Sequence, residues 1–347
     1  MRFAILVAGI VSANGFGAWF ARAGRSVLAD LCASIGSIIF GAGIAVVGQM
    51  YHLGEDFAGG MLLWAAGALA AAALTNSRGA LAVALAAGSV WSAMDVFDTH
   101  DVPHLPFVAL WLIAAGLALA WNSRAAAHLV ALAALAWWIV AALQPDLDHF
   151  QPSFVLADGA ALLFGGGLAL AAAPWPRALC VGAVLSTYGA FSLAGVAILE
   201  VTTTYDLFRI DAGTASQPSW AITCGVAGAI FVLAAAALTR RAGVAFAGSA
   251  IGLVLVAPAT WTPHAGEPWL AYAVELCAMV CLVVSGMIDA ARPRIVAGWL
   301  GIAGVIAAIT WAVKGSLLHR SAFLAAAGAV AGAVATVLNR LLPRTSE

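Results

Sequence analysis

The sequence predicts an all-α polytopic integral membrane bundle of about thirteen transmembrane helices. Composition is the first reason: of 347 residues, 64% are hydrophobic and 9% charged, with a mean hydropathy of +1.01, whereas soluble domains carry about 25% charged residues. Continuity is the second. The apolar residues run unbroken over lengths close to the roughly 20 residues that a helix needs to cross about 30 Å of hydrocarbon. The sorting of charge between alternate loops is the third. These numbers exclude a cytosolic globular enzyme, a disordered chain and a secreted disulfide scaffold.

Cutting at polar and proline-bearing clusters gives spans over 3–21, 27–50, 57–75, 79–97, 105–121, 125–143, 153–173, 178–199, 219–238, 243–261, 269–288, 295–313 and 321–338. Lipid offers backbone groups no partner, so each span is expected to be helical. A β-barrel would show short alternating segments instead. The first span, with Arg2 ahead of it and small residues near Ala21–Ala23, resembles a signal peptide. Asn14 and Trp19 interrupt it, and a retained span is expected. Asn76-Ser77-Arg78 and Asn122-Ser123-Arg124 turn the chain between the third and fourth, and the fifth and sixth spans. Asn tolerates the left-handed conformation and Ser caps the following helix. Pro174–Arg177 separates the seventh and eighth spans, and the longest connection, Glu200–Pro218, the eighth and ninth. No connection can hold a soluble domain. The chain reads as a single multispan membrane domain over 1–347.

Numbering the loops alternately sorts the charges. One face receives Arg22, Arg25, Arg78, Arg124, Arg177, Arg240, Arg241, Arg292, Arg294, Arg340 and Arg344, eleven of the fifteen basic residues. Basic residues are retained on the cytoplasmic side, so this face is expected inside a bacterial inner membrane, with the N-terminus outside and the C-terminus cytoplasmic. Thirteen of the sixteen acids and six of the seven histidines sort to the other face. That acidic face is either a plain consequence of topology or a functional surface.

Small residues let membrane helices approach closely. The chain has 36 glycines, with GxxxG spacing at Gly248/Gly252 and Gly328/Gly332. A duplication of helical hairpins over about 62–97 and 108–143 is suggested by the two Asn-Ser-Arg turns, 46 residues apart, and by Trp91 and Trp137 at the same offset.

The polar cluster at the outer end of the second span contains Gln49, Tyr51, His52, Glu55 and Asp56. Phe40-Gly41-Ala42-Gly43-Ile44-Ala45, then Gln49-Met50-Tyr51-His52-Leu53-Gly54-Glu55-Asp56, Leu63-Trp64-Ala65, Ser77-Arg78 and Trp91 together resemble a family of bacterial predicted membrane proteins catalogued as domain of unknown function 2157. The resemblance covers about the first hundred residues. Members of that family usually begin with a short cytosolic segment and one more span, so the resemblance implies an N-terminally shortened member. It implies no activity.

Tyr51 and His52 suit the membrane interface. His52, Glu55 and Asp56 could exchange protons or attract cations. Asp95, Asp98, His100, Asp101 and His104 form a second outer cluster. Asp98, His100, Asp101 and His104 are donor types suited to a divalent metal, but their spacing matches no specific signature and an ordinary turn is expected. Asp158 and Glu275 lie inside spans, with Tyr272, Glu275 and Met279 on one helical face. An ionisable residue there is either functional or relieved by snorkelling. The five cysteines read as packing residues. No Walker A loop, Rossmann fingerprint, HExxH or nucleophile elbow is present, no cofactor is expected, and no basic nucleic-acid patch occurs. The expected partner is the lipid bilayer.

Three functions stay open. One is transport or permeation of a small solute, ion or proton by way of Gln49, Tyr51, His52, Glu55, Asp56, Asp95, Asp158 and Glu275. Another is a non-catalytic sensor, scaffold or assembly partner. The third, an outer-face membrane enzyme, is disfavoured by loops too short to build a substrate site.

Overall fold

The computed structural model describes residues 2–50, 57–99, 103–143, 152–203, 218–260 and 269–312, together with residues 325, 328, 332 and 336. The long stretches form α1 (Arg2–Arg22), α2 (Ser26–Met50), α3 (Phe57–Thr75), α4 (Arg78–Thr99), α5 (Leu105–Trp121), α6 (Arg124–Ala142), α7 (Pro152–Ala172), α8 (Pro176–Thr203), α9 (Ser219–Thr239), α10 (Ala242–Thr260), α11 (Trp269–Ile288) and α12 (Arg292–Ala312). No strand occurs among the described residues. Ten of these helices are long and apolar enough to cross a membrane, while α5 and α10 offer shorter apolar stretches. The first twelve expected spans all appear as helices. α3, α5 and α11 keep the expected boundaries, whereas α8 runs four residues further, to Thr203. The thirteenth expected span falls almost wholly outside the described residues.

The turns form for the reasons their residues suggest. Asn76 and Asn122 adopt φ of 53° and 47°, the left-handed region that Asn tolerates better than most residues. Ser77 Oγ then accepts from Ala80 N at 3.0 Å, and Ser123 Oγ from Ala126 N at 3.4 Å, capping α4 and α6. Gly24, at φ 73°, ends α1, with Arg25 N reaching back to Phe20 O at 2.9 Å.

The chain divides into two compact units. Unit 1 comprises 1–146 and 175–184; unit 2 comprises 147–174 and 185–347. In unit 1, α4 packs against α2, α3, α5 and α6. Alanines at 65, 68, 72, 80, 84, 126, 127 and 131 are buried there, so backbones approach closely. α2 and α3 interlock reciprocally. The Trp64 ring occupies the space a side chain at Gly41 would need, and the Phe40 ring does the same at Gly67. Trp64 Nε1 also donates to Ser37 O at 2.9 Å. Phe40, Gly41 and Trp64, among the residues that carry the family resemblance, are therefore packing residues. At the arginine-bearing end, Asp30 of α2 accepts from Ser77 Oγ at 2.5 Å and Gly79 N at 3.2 Å. A carboxylate there complements the N-terminal dipole of α4.

In unit 2, α7 packs against α9 and α10, α10 against α9 and α11, and α11 against α12. The core is built on Phe164, Leu193, Ile251, Met279, Leu282 and Ile309, all fully buried. α7 is the most enclosed helix. Side chains added at Gly165 or Gly228 would strike the backbone of the facing helix, α9 or α7. Gly167 lies equally close to Ser186 of α8, and Gly189 to Phe164. The expected GxxxG pairs play no such part: Gly252, Gly328 and Gly332 face open space, and Gly248 meets only Val232. At the arginine-bearing end of this unit, Arg294 pairs with Asp289 at 2.7 Å, donates to Ser285 at 3.1 Å and lies 5.9 Å over the Phe164 ring. Asp30 and Asp289, two of the three acids that sort with the arginines, thus have local structural partners.

Candidate functional site

Three carboxyls come together inside unit 2. Asp158 stands six residues into α7 and Glu275 six residues into α11, each about 9 Å along its helix. Glu200 stands three residues before the end of α8. The three are 3%, 1% and 7% exposed respectively. Glu200 interacts electrostatically with both Glu275 and Asp158, and its carboxyl meets that of Glu275 directly. The contact between the two glutamates is loose, since neither oxygen of Glu275 makes a well-formed hydrogen bond with a described residue. α9 supplies the fourth wall. Asp158 Oδ1 lies where a side chain at Gly225 would begin, so only glycine leaves room for the carboxyl. Asp158 Oδ2 has no hydrogen-bond partner among the described residues.

Local sequence explains each position. Glu275 shares a face with Tyr272 and Met279, which are 2% and 0% exposed, so the helix that buries those two must bury the acid. Asp158 sits in a run whose neighbours Ala157, Gly159, Ala160 and Ala161 are all buried. Both acids lie beyond the first turn of their helices, where the favourable N-terminal dipole has faded. Asp158 and Glu275 form no ion pair with a described residue. No group of three His, Cys, Asp or Glu among the described residues is arranged to hold a metal ion.

Sequence reasoning placed Glu200 at the start of a connection, not in a helix. A signal was available: Val196, Ala197 and Val201 are buried, so continuing the helical period past residue 199 puts Glu200 on the same inner face. Of the other anticipated residues, Gln49 is exposed on the last turn of α2. Tyr51, His52, Glu55, Asp56, His100 and Asp101 lie outside the described residues. Asp98 is exposed on α4. Asp95 belongs to unit 1, where its Oδ2 lies 3.2 Å from His104 Nε2. The structure therefore places Asp158 and Glu275 each within electrostatic reach of Glu200, and partners Asp95 with a histidine instead. All five cysteines are free thiols.

Helices of this length and apolarity define a multi-pass helical membrane protein. Within that class, the family model described as Predicted membrane protein (DUF2157) matches residues 1–81. The match covers α1 to α3 and the first turn of α4; the three carboxyls lie outside it. No curated protein and no solved structure matches the chain.

Proposed function

We propose that this protein moves protons or small cations across a membrane through the Asp158–Glu200–Glu275 cluster. The observation that carries the reading is three interacting carboxyls from three helices, each at least nine-tenths buried. Two like charges 4 Å apart repel by roughly 4 kcal/mol at an effective dielectric of 20. A buried trio of this kind needs protons or a cation among its members, and exchanging them is what a permeation site does. A proton fits better than a divalent metal, because the carboxyls do not converge as metal ligands. In purified protein reconstituted into liposomes that enclose a pH-sensitive dye, an imposed potential should drive proton flux, and Glu275→Gln should abolish it. Equal flux in wild type, Glu275→Gln and empty liposomes would sink the reading.

The proposal includes an orientation, with the acidic end outside and the arginine end cytoplasmic in a bacterial inner membrane. The sorting of eleven of fifteen basic residues supports it. A single cysteine at Asp101 should react with an impermeant maleimide added outside, and one at Ser77 only after permeabilisation. The reverse pattern would invert the topology.

A further inference from the structure

Unit 1 holds a second buried polar group, independent of the carboxyl cluster. His104 immediately precedes α5 and is 4% exposed. Its Nδ1 lies 2.9 Å from Ser92 Oγ and its Nε2 3.2 Å from Asp95 Oδ2. The Trp91 ring system and the imidazole meet in a T-shaped arrangement at a centroid distance of 4.5 Å. Residues 91, 92 and 95 share one face at the end of α4, so a single imidazole reaches all three. With Nε2 donating to the carboxylate, Nδ1 accepts from the Ser92 hydroxyl.

That order of groups also describes a nucleophile, base and acid. Ser92, however, is 1% exposed inside a helix whose amide N–H groups are committed to its own ladder. No donors remain there for an oxyanion, so the arrangement lacks what acyl transfer requires. What it does hold is a place for one more proton.

We propose that Ser92, Asp95 and His104 form a proton-operated latch that fastens the start of α5 to the last turns of α4. In the neutral state the imidazole donates once and accepts once. On protonation Nδ1 becomes a donor, Ser92 Oγ turns to accept from it, and the serine proton is free to pass to the helix carbonyl four residues back. The contact to Asp95, already a hydrogen bond to a carboxylate, then becomes an ion pair in which both partners are charged. The two states differ by one proton. Other described charges are few or remote. α3 and α5 carry no ionisable side chain. Asp98 follows on α4 and is exposed, while Arg78 lies at the other end of that helix. Asp30 and Cys32 of α2, and Arg124 and His128 of α6, lie near the starts of their helices, at the arginine-bearing end.

The test uses the full chain in micelles, with histidine labelled by nitrogen-15. The His104 signals, identified by their loss in His104→Gln, should pass from the singly to the doubly protonated pattern between pH 8 and pH 5. Asp95→Asn should move that midpoint down by about one pH unit, since it removes the adjacent negative charge. Amide exchange across residues 92–107, corrected for intrinsic chemistry, should be several-fold slower at pH 5.5 than at pH 7.5 in wild type, and pH-independent in His104→Gln. If His104→Gln does not fold, Asp95→Asn supplies both the assignment and the exchange comparison. A His104 signal that stays in one protonation state over this range, a midpoint that Asp95→Asn does not lower, or exchange whose pH dependence survives in His104→Gln, would overturn the latch.

Discussion

Gly228→Leu is expected to abolish accumulation of folded protein. A side chain at this position would meet Ala161 and the amide nitrogen of Leu162, the latter at 2.7 Å, both of them backbone. Across the same contact, a side chain at Gly165 would meet the Gly228 carbonyl. Overpacking a close-packed core by a methylene or two typically costs 1–3 kcal/mol. Here a helix must move, so a loss of about 3 kcal/mol or more is expected, a large share of the 5–15 kcal/mol available to a domain. α7 and α9 both contribute to the carboxyl cluster, so any protein that did fold would have a displaced Asp158. Gly252→Leu is the control, since that position faces open space. Its melting temperature in detergent should stay within a few degrees of wild type. A monodisperse Gly228→Leu protein melting with wild type would contradict the packing.

The second large effect sets stability against activity. Glu275→Gln and Asp158→Asn should each raise the melting temperature while removing flux. Neutralising a buried acid that forms no ion pair among the described residues removes both its desolvation cost and its repulsion of neighbouring acids. Gains of about 1–2 kcal/mol are usual where a site has been kept at the expense of stability. Asp289→Asn should do the opposite. Its carboxylate pairs with Arg294 at 2.7 Å, and the change leaves a part-buried guanidinium without its counter-charge. If all three variants lose stability alike, Asp158 and Glu275 are structural acids and the transport reading loses its basis.

Much of this fold is legible in the chain because lipid leaves few choices. A helix must satisfy its own backbone, so continuous apolar runs translate almost directly into α1 to α12. The Asn-Ser-Arg turns were equally readable, since the left-handed Asn and capping Ser are local chemistry. Asp158 and Glu275 stand out as charges inside apolar runs. Glu200 did not, because a glutamate near a helix end looks like a loop residue unless the buried period is carried through it. The pairing of His104 with Ser92 was not readable either. It joins residues twelve apart across a corner, and spacing alone does not report such closure. Glycine spacing is a weak signal for a related reason. GxxxG at Gly248/Gly252 has the motif without the approach, while Gly165 and Gly228 have the approach without the motif. Close contact depends on which helix faces which, and that is a property of the assembled unit.

The central claim is that Asp158, Glu200 and Glu275 act as one site. The most direct test is proton flux through reconstituted Asp158→Asn, Glu200→Gln and Glu275→Gln, singly and combined. Groups that act as a unit are strongly non-additive. Each single variant should lose at least about 90% of the flux, since any one carboxyl missing breaks the exchange, and the triple variant should be no worse than the singles. Wild-type flux in the triple variant would contradict the claim outright, and losses that multiply from one variant to the next would show three separate acids instead of one site.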